Sequence, residues 1–384
     1  MSLAETRAVP SPSPADKSAR DRSGAVLRVD LGAVRANYRL LKSKLGRADC
    51  AAVVKADAYG LGADRVAPAL SEEGCRRFFV AHVDEGIALR PHLPAEAEII
   101  VLHGLHPGAE KDCLEHRLVP VLNSLAQIDA WRTLARGRAG KPLPAVVQVD
   151  SGMARMGLPD SELQVIAGDP QRLAGIELCL VMGHLACGDE PDHPANAFQL
   201  ARFIAARRML PLAPASFANS AGIFLGSDYH FDLVRPGVAL YGCGPLSNQP
   251  NPMNPVVRLQ GKVVQLRSVP PGTPIGYSWT HRVEQKCRVA TVSVGYADGF
   301  LRSLSGRACA YFGDVPLPLI GRVSMDSITL DASALPDGAL TAGAFVDLIG
   351  PHETVDAVAA RAGTIGYEIL TSLGQRYFRE YIDV

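Results

Sequence analysis

The sequence contains no Cys-x-x-Cys pair and no uninterrupted apolar run of about 18 residues, the length that crosses a membrane. Its eight cysteines stand at positions 50, 75, 113, 179, 187, 243, 287 and 309. This scattered spacing argues against a structural zinc site. Most of the cysteines fall in apolar segments, where reduced core thiols are expected, and reduced thiols predict a cytoplasmic protein.

The chain also lacks a net charge, because 39 basic residues balance 39 acidic ones. A neutral chain has no global field that draws nucleic acid or an anionic membrane, so neither is expected as a partner. Residues 1–24 lack the apolar stretch of a signal peptide and are rich in Ser, Pro and Ala, which predicts a disordered leader. The remaining length is sufficient for two folded domains.

From residue 25 onward, short apolar runs alternate with amphipathic, helix-like segments. Buried parallel strands appear as continuous apolar runs, so this alternation predicts an α/β fold that begins with a (β/α)8 barrel. An open, doubly wound sheet is the alternative, because the last two runs are weak. The runs cover residues 51–54, 78–83, 98–104, 118–122, 145–150, 176–185, 216–219 and 231–234, and helices are expected at 31–45, 64–73, 125–136 and 196–209.

The character of the sequence changes after about residue 259. Segments punctuated by Pro and Gly predict a mostly β C-terminal domain that ends in one or two helices, such as 354–362. The Pro- and Asn-rich stretch 245–255 is interpreted as a linker. We therefore predict a barrel domain over residues 25–259 and a β-rich domain over residues 260–384.

Polar residues stand at or just beyond the ends of five different predicted strands. In α/β barrels the chemistry collects at the carboxyl ends of the strands, so these side chains are expected to converge on one site. They are Lys55, Arg155, His184, Ser220 and Arg235.

Lys55 directly follows an apolar run, and its apolar neighbours favour desolvation, which lowers the pKa of an amine and frees it as a nucleophile. A salt-bridged structural lysine is the commoner role for a lysine at a strand end. The functional alternative is Schiff-base chemistry with an aldehyde cofactor. Pyridoxal 5′-phosphate (PLP) would also need a phosphate site, which Ser220 and the backbone amides of Gly237 and Val238 would offer.

Six short motifs, in their order and spacing, resemble the alanine racemase family, and the similarity extends from about residue 25 to the C-terminus. The motifs are AVVKADAYGLGA (52–63), VDSGMARMG (149–157), ANSAG (218–222), RPGVALYG (235–242), VGYADG (294–299) and GRVSMD (321–326). The resemblance implies a PLP-dependent enzyme that interconverts L-alanine and D-alanine and supplies D-alanine for peptidoglycan. It also implies a homodimer whose active site is shared between the subunits.

The resemblance assigns roles to individual residues. Lys55 matches the lysine that binds PLP covalently and acts as one proton-transfer base, and Tyr277 matches the tyrosine that acts as the other. Arg235 matches the arginine that faces the pyridine nitrogen, Arg155 the one that bonds the phenolic oxygen of the cofactor, and His184 the histidine beside its ring.

The same comparison of motifs places the remaining site residues. The cofactor site is implied to include Tyr59, Asn219, Ser220, Gly237 and Val238, and the substrate carboxylate is implied to meet Arg155, Met325 and Asp326. In the family, the tyrosine and the Met-Asp pair come from the partner subunit, so a monomer is expected to be inactive. No metal site is expected.

These roles agree with the chemistry of racemisation, which removes a proton from one face of a carbon and returns one to the other face. A single base would favour retention, so two opposed bases are expected. Because a free phenol is a poor base at neutral pH, Tyr277 needs cationic neighbours. The guanidinium of Arg235 would leave the pyridine nitrogen unprotonated, which disfavours protonation at the wrong carbon and hence transamination.

Three positions depart from the family pattern. Gln148 stands where many members carry a carbamylated lysine, and Leu61 replaces a histidine common in the first motif. Gln375 stands where a phosphate-binding tyrosine is often found, with Tyr377 close by. Gln148 would still hold Arg155 by a hydrogen bond, but without the negative charge of the carbamate.

Two other functions share this type of barrel. A PLP-dependent decarboxylase of basic amino acids would need a carboxylate in place of Arg235 and a catalytic thiol, and neither Cys287 nor Cys309 lies in a motif that supports one. A non-enzymatic PLP-carrier protein would need no base equivalent to Tyr277.

Overall fold

The structure, a computed structural model, describes residues 14–137 and 141–383. The chain divides into two compact units, of which the first comprises residues 35–240 and 244–253. The second comprises the described residues up to 34, residues 241–243 and the chain from 254 onward. The predicted boundary at residue 259 stays a prediction. Residues 1–13 of the predicted leader lie outside the described residues, and the leader continues in a helix at Pro14–Arg22.

The first elements of the described residues are α1 (Pro14–Arg22), β1 (Ala25–Asp30) and α2 (Leu31–Ser43). The first unit then contains the strands β2 (Asp49–Cys50), β3 (Ala52–Val53), β4 (Arg77–Val80), β5 (Glu98–Val101), β6 (Leu118–Leu122), β7 (Leu143–Gln148), β8 (Ile176–Met182), β9 (Ala215–Asn219) and β10 (Leu233–Arg235). Between them lie α3 (Lys55–Gly60), α4 (Ala63–Glu72), α5 (Val83–Leu89), α6 (Glu110–Glu115), α7 (Leu125–Arg136), α8 (Asp160–Gly168) and α9 (Ala195–Arg207).

The strands of the first unit form one parallel sheet in the order β2-β10-β9-β8-β7-β6-β5-β4-β3. Only Ala51 separates β2, which pairs with β10, from β3, which pairs with β4. The backbone N–H of Ala51 donates to Val234 at 2.9 Å, and that of Val53 donates to Pro236 at 2.9 Å. The sheet therefore closes on itself through one interrupted strand. The predicted barrel is confirmed, and the open-sheet alternative is wrong.

The barrel strands are largely apolar because both of their faces are covered, and the charged residues Arg77 and Glu98 stand at the N-terminal ends of β4 and β5. All five residues of β6 are buried, which is the pattern of a parallel strand between a barrel interior and a layer of helices. On the outside, α7 starts at the N-cap Ser124, whose hydroxyl accepts the backbone N–H of Gln127. Its Trp131 is fully buried and donates its ring N–H to the carbonyl of Pro144 at 3.2 Å, which ties the helix to β7.

The second unit is mostly β, as predicted. It contains β11 (Val257–Val269), β12 (Pro274–Ile275), β13 (His281–Arg282), β14 (Cys287–Val292), β15 (Cys309–Phe312), β16 (Val315–Pro318), β17 (Ile328–Asp331), β18 (Phe345–Ile349), α10 (Val355–Ala362), α11 (Gly366–Ser372) and β19 (Phe378–Ile382). The main sheet has the order β16-β15-β18-β11-β1-β19, and β14 and β17 extend it from β11. The first half of β11 alternates buried and half-buried residues, as expected for an antiparallel strand with one covered face.

The N-terminal strand β1 belongs to this second sheet. It pairs antiparallel with β11 and parallel with β19, so residues near both ends of the chain lie side by side. In the part of the chain that the structure describes, no helix is long and apolar enough to cross a membrane.

Candidate active site

The strand β3 leads directly into a left-handed turn. Lys55 begins the turn, and the residues Ala56–Tyr59 all have φ between 52° and 57°. A left-handed conformation costs a residue other than glycine roughly 1–2 kcal/mol, so contacts with the surrounding structure must hold the turn. Two such contacts come from Asp57: its carbonyl accepts the N–H of Gly62 at 2.9 Å, and its Oδ1 accepts the N–H of Ala63 at 2.7 Å.

Lys55 is half-buried at the end of its strand, as predicted. Burial lowers the pKa of its amine, the neighbouring Arg155 guanidinium lowers it further, and the Glu85 carboxylate opposes both effects. The amine therefore loses its proton more readily than that of an exposed lysine. A neutral amine is the form that attacks a carbonyl carbon or accepts a proton.

Arg235 ends β10 and is only 3% exposed. Its guanidinium donates to the hydroxyl of Ser216, to the carbonyl of Gly183 at 2.7 Å and to Nδ1 of His184 at 3.5 Å. No carboxylate within residues 14–137 and 141–383 forms an ion pair with it. Burial lowers the pKa of Arg235 to about 9, so its guanidinium remains charged at neutral pH.

His184 lies just beyond β8, with most of its surface buried. Burial and the positive charges of Arg235, Arg155 and Lys55 lower the pKa of its ring to about 3, so the imidazole is neutral at physiological pH. Because a guanidinium can only donate, Nδ1 of His184 must accept from Arg235, which places the ring proton on Nε2. The neutral ring thus offers one donor away from Arg235.

The side chains of Tyr59 and Ser220 meet at Gly237, and we call this group of three residues the polar recess. The Ser220 hydroxyl accepts the backbone N–H of Gly237 at 2.8 Å and that of Ala239 at 3.3 Å. A β-carbon on Gly237 would lie 2.4 Å from the Tyr59 hydroxyl, so only glycine leaves room for that hydroxyl. Val238 follows as the buried first residue of a 3-10 turn, where backbone N–H groups have no partner within the turn. Hydroxyls and backbone N–H groups in this arrangement suit a phosphate group.

Asn219 ends β9 next to this recess. Its side-chain oxygen accepts the backbone N–H of Gly222 at 3.0 Å. The observed contact of Asn219 is therefore with the loop that carries Ser220, and its expected contact with a cofactor stays a prediction.

Arg155 lies on an exposed loop after β7 and lines an open cavity of about 440 Å³. Asp150 organises that loop, because its Oδ1 accepts three backbone N–H groups, from Gly152, Met153 and Ala154, at 2.9–3.1 Å. Burial raises the pKa of Asp150, but these three hydrogen bonds together lower it below its usual value. The loop that carries Arg155 therefore holds the Asp150 carboxylate in a fixed position.

Gln148, the residue that departs from the family pattern, is buried at the end of β7 and donates to the carbonyl of Met156 at 3.3 Å. Its amide thus contacts the backbone next to Arg155. Leu61, the second departure, is fully buried and belongs to the apolar core.

Tyr277, Met325 and Asp326 belong to the second unit. Tyr277 is 69% exposed at the start of a short 3-10 turn, and Met325 is 53% exposed. The Asp326 carboxylate pairs with Arg376 at 2.7 Å.

Sequence reasoning missed Arg376 and its second partner, Asp298. The guanidinium of Arg376 makes two bonds to the buried carboxylate of Asp298, at 2.7 and 2.9 Å, and a third to Asp326. The backbone carbonyl of Asp298 also accepts the hydroxyl of Tyr377 at 2.5 Å, which engages that phenol within the second unit. The sequence did contain a signal for one of the two residues, because Asp298 is the acidic residue of the VGYADG motif.

The described residues contain no cluster of three or more His, Cys, Asp or Glu side chains that could hold a metal ion. All eight cysteines are free thiols.

The sequence matches the models of two domain families. Residues 29–245 match "Alanine racemase, N-terminal domain", and residues 256–381 match "Alanine racemase, C-terminal domain". A protein of Agrobacterium fabrum named "Alanine racemase, catabolic" is 54% identical over 356 residues, which cover 93% of this chain and 92% of the relative. The "Alanine racemase" of Brucella canis is 48% identical over 375 residues, which cover 94% of each chain.

Solved structures of alanine racemases have the same fold. The crystal structure of alanine racemase from Bartonella henselae with covalently bound pyridoxal phosphate has a TM-score of 0.90 and 44% sequence identity. It covers 94% of this chain and 100% of that one. The biosynthetic alanine racemase from Pseudomonas aeruginosa has a TM-score of 0.86 and 35% identity, covering 94% and 99% of the two chains.

Proposed function

Because the chain belongs to the alanine racemase family, we propose that it is a PLP-dependent enzyme that interconverts L-alanine and D-alanine. The observation that carries the proposal is the arrangement in the barrel. A lysine with a lowered pKa, a charged guanidinium that pairs with no carboxylate of the described residues, and the polar recess stand at the ends of strands in one unit.

The residues present fit PLP. The polar recess brings together the Tyr59 and Ser220 hydroxyls and the backbone N–H of Val238, which would bind the phosphate, and the absence of a β-carbon at position 237 leaves room for the Tyr59 hydroxyl. We assign Lys55 to the covalent bond with the cofactor and Arg235 to its ring nitrogen. Val238, Asn219, Arg155 and His184 complete the proposed cofactor site.

Bound PLP supplies an electron sink that makes the proton on the α-carbon of alanine acidic. The proposed role of Lys55 is to remove a proton from one face of that carbon in one direction of the reaction and to return a proton to the same face in the other direction. The local environment suits this role, because burial and the Arg155 charge favour the neutral amine, which is the form that accepts a proton.

Arg235 limits the reaction to racemisation. Its guanidinium stays charged at neutral pH and keeps its proton while it donates a hydrogen bond, so it would leave the ring nitrogen of the cofactor unprotonated. Arg235 would thereby weaken the electron sink and favour return of the proton to the α-carbon. The same property argues against the decarboxylase alternative, which requires a carboxylate at this position.

Tyr277 is proposed as the base for the opposite face, contributed by the partner subunit of a homodimer. Its high exposure, and that of Met325, supports a surface that a second subunit covers. Asp326 and Met325 are proposed to contact the carboxylate of the substrate, with Arg376 fixing Asp326 from within the same unit.

The two enantiomers have equal free energies in water, so the enzyme drives neither direction and the consumption of product decides the net flux. We propose that the protein supplies D-alanine for peptidoglycan in the cytoplasm. The relative from Agrobacterium fabrum carries the qualifier "catabolic" in its name, and deletion of the gene distinguishes the roles. A strain that then needs D-alanine in its medium supports supply, and one that loses only growth on alanine contradicts it.

The activity is tested with the purified, PLP-loaded protein and L-alanine in D2O. Inversion of optical activity together with deuteration at the α-carbon is expected, and L-serine and L-lysine measure the breadth of the substrate range. Release of CO2 without inversion would instead identify a decarboxylase. The visible absorption of the covalently bound cofactor should disappear in Lys55→Ala and remain in Lys111→Ala, which changes an exposed lysine.

A further inference from the structure

Glu85, in the first turn of α5, bonds two backbone groups that belong to different strand ends. Its Oε1 accepts the N–H of Ala56 at 2.9 Å, and its Oε2 accepts the N–H of Ala81 at 2.6 Å. Ala56 is the first left-handed residue after Lys55, and Ala81 follows β4. One carboxylate therefore ties the start of the left-handed turn to the adjacent strand of the barrel.

A capping role within α5 does not account for this geometry. A glutamate in the first turn of a helix commonly bonds the N–H at the N-cap, which here belongs to His82. That contact is the longest of the three, at 3.4 Å, while the two short bonds reach residues outside the helix. The carboxylate is thus directed at the turn and the strand end.

The turn needs an external anchor at this point. None of its four left-handed residues is glycine, and Ala56 and Asp57 are exposed, so apolar packing does not hold the beginning of the turn. The far end is different, because Ala58 and Tyr59 are buried. The bond from Ala56 to Glu85 lies next to Lys55, where a small change in the backbone would displace the amine.

The Glu85 carboxylate also acts electrostatically on Lys55. Among the described residues, Arg155, His184 and His103 interact with this amine as well, and none of these three carries negative charge. The Glu85 carboxylate raises the pKa of Lys55 and so limits the effect of burial and of Arg155.

We propose that Glu85 is a positioning residue of the racemase, which holds the left-handed turn in register with β4 and sets the position and charge of Lys55. The inference rests on the proposed role of Lys55, but it concerns bonds that exist without the cofactor. It is therefore testable in the apoprotein.

Two variants separate the two parts of this role. Glu85→Gln removes the charge and one of the two acceptors, while Glu85→Asp keeps the charge but is too short to span both N–H groups. The matched control is Glu162→Gln. Glu162 is also a half-buried glutamate in the first turn of a helix, α8, and its Oε2 accepts the N–H of Leu125 at 2.9 Å.

The first measurement is amide hydrogen exchange of the apoprotein by NMR. Exchange at Ala56 or Ala81 is expected to be about tenfold faster in both Glu85 variants, because a charge-assisted bond is lost. In Glu162→Gln the increase should appear at Leu125 and leave Ala56 and Ala81 unchanged. Unchanged exchange at Ala56 and Ala81 in both Glu85 variants overturns the proposed anchor.

The second measurement is the pKa of Lys55 in the apoprotein, from 13C NMR of reductively methylated lysines. The chain has eight lysines, so the signal missing in Lys55→Arg identifies the residue. The pKa of Lys55 is expected to fall in Glu85→Gln and to stay near the wild-type value in Glu85→Asp and Glu162→Gln. An unchanged pKa in Glu85→Gln overturns the electrostatic part.

Racemisation is measured last, with the loaded enzyme. Both Glu85 variants are expected to lose at least about tenfold in kcat, and Glu162→Gln is expected to keep wild-type turnover. If the wild-type protein fails to racemise alanine, the proposed function fails while the two apoprotein measurements still decide the role of Glu85. If the wild-type protein racemises alanine and the Glu85 variants retain its full activity, the proposed function stands and the positioning role falls.

Discussion

The hydroxyl of Tyr59 occupies the space in which any side chain at position 237 would begin, 2.4 Å from the place of a β-carbon on Gly237. This relationship joins the left-handed turn after β3 to the segment that follows β10. Because β3 and β10 are linked by the interrupted strand that closes the barrel, the first and last strand ends build one recess.

Gly237→Ala is expected to weaken PLP binding by about 10- to 100-fold, because the methyl group displaces the Tyr59 hydroxyl and removes charge-assisted hydrogen bonds. The affinity is measured by titrating the apoprotein with PLP and following its absorption. Gly46→Ala is the control, since a β-carbon at Gly46 would meet no atom within 4 Å. If the two variants bind PLP with equal affinity, the phosphate does not bind at the polar recess.

His184 should make the protein sensitive to acid. Its pKa is about 3 in the folded state and about 6.5 in an unfolded chain, so the unfolded state binds more protons between these values. The free energy of unfolding is therefore expected to rise with pH across this window and to fall as the solution is acidified from about 6.5 toward 3.

The measurement is urea-induced unfolding of the apoprotein at a series of pH values. His184→Asn should flatten the pH dependence, while His92→Asn, which changes an exposed histidine, should leave it as in the wild type. A His184→Asn protein with the wild-type slope would contradict the neutral state of the buried ring.

Tyr277→Phe is expected to keep bound PLP and its visible absorption but to lose about 10²–10⁴-fold in racemisation, the usual contribution of a general acid or base. Loss of the base on one face should also make α-deuteration of L-alanine and D-alanine in D2O unequal. Tyr311→Phe removes a hydroxyl from a half-buried tyrosine of β15 and is expected to turn over normally. Unchanged turnover in Tyr277→Phe would refute the two-base proposal.

Asp298→Asn should lower the melting temperature, because the buried carboxylate accepts two bonds from Arg376 and the N–H of Gly295 at 2.9 Å. The substitution should also raise KM for alanine, because Arg376 is no longer held in place by Asp298 and so no longer fixes the Asp326 carboxylate. Differential scanning calorimetry and steady-state kinetics measure the two effects. Asp314→Asn, at a highly exposed carboxylate, is the control, and a melting temperature equal to that control would argue against a structural pair.

The barrel was predictable because its strands are buried on both faces. Runs such as 118–122 have no polar residue, and the strand-end residues Lys55, His184 and Arg235 follow such runs directly. The interruption of the first strand at Ala51 was not predictable, since the run 51–54 has no glycine or proline to mark it.

Other features depend on contacts between residues far apart in the sequence. None of the residues Ala56–Tyr59 is a glycine that would mark their left-handed conformation in the sequence. Glu85, which accepts the N–H of Ala56, lies in another helix. The pairing of β1 with β19 joins the two ends of the chain, and no local pattern encodes it. A sequence motif identified Asp298 as notable, but only the folded chain shows that its partner is Arg376.

The interrupted strand has a consequence for biosynthesis. While the chain is being made, the edge of the sheet at β2 stays uncovered until synthesis has passed Arg235, because its neighbour β10 is the last strand of the barrel. An exposed parallel edge is a template for pairing with other chains, and distant contacts form slowly. The nascent barrel therefore passes through a long interval in which its uncovered edge makes it prone to aggregation.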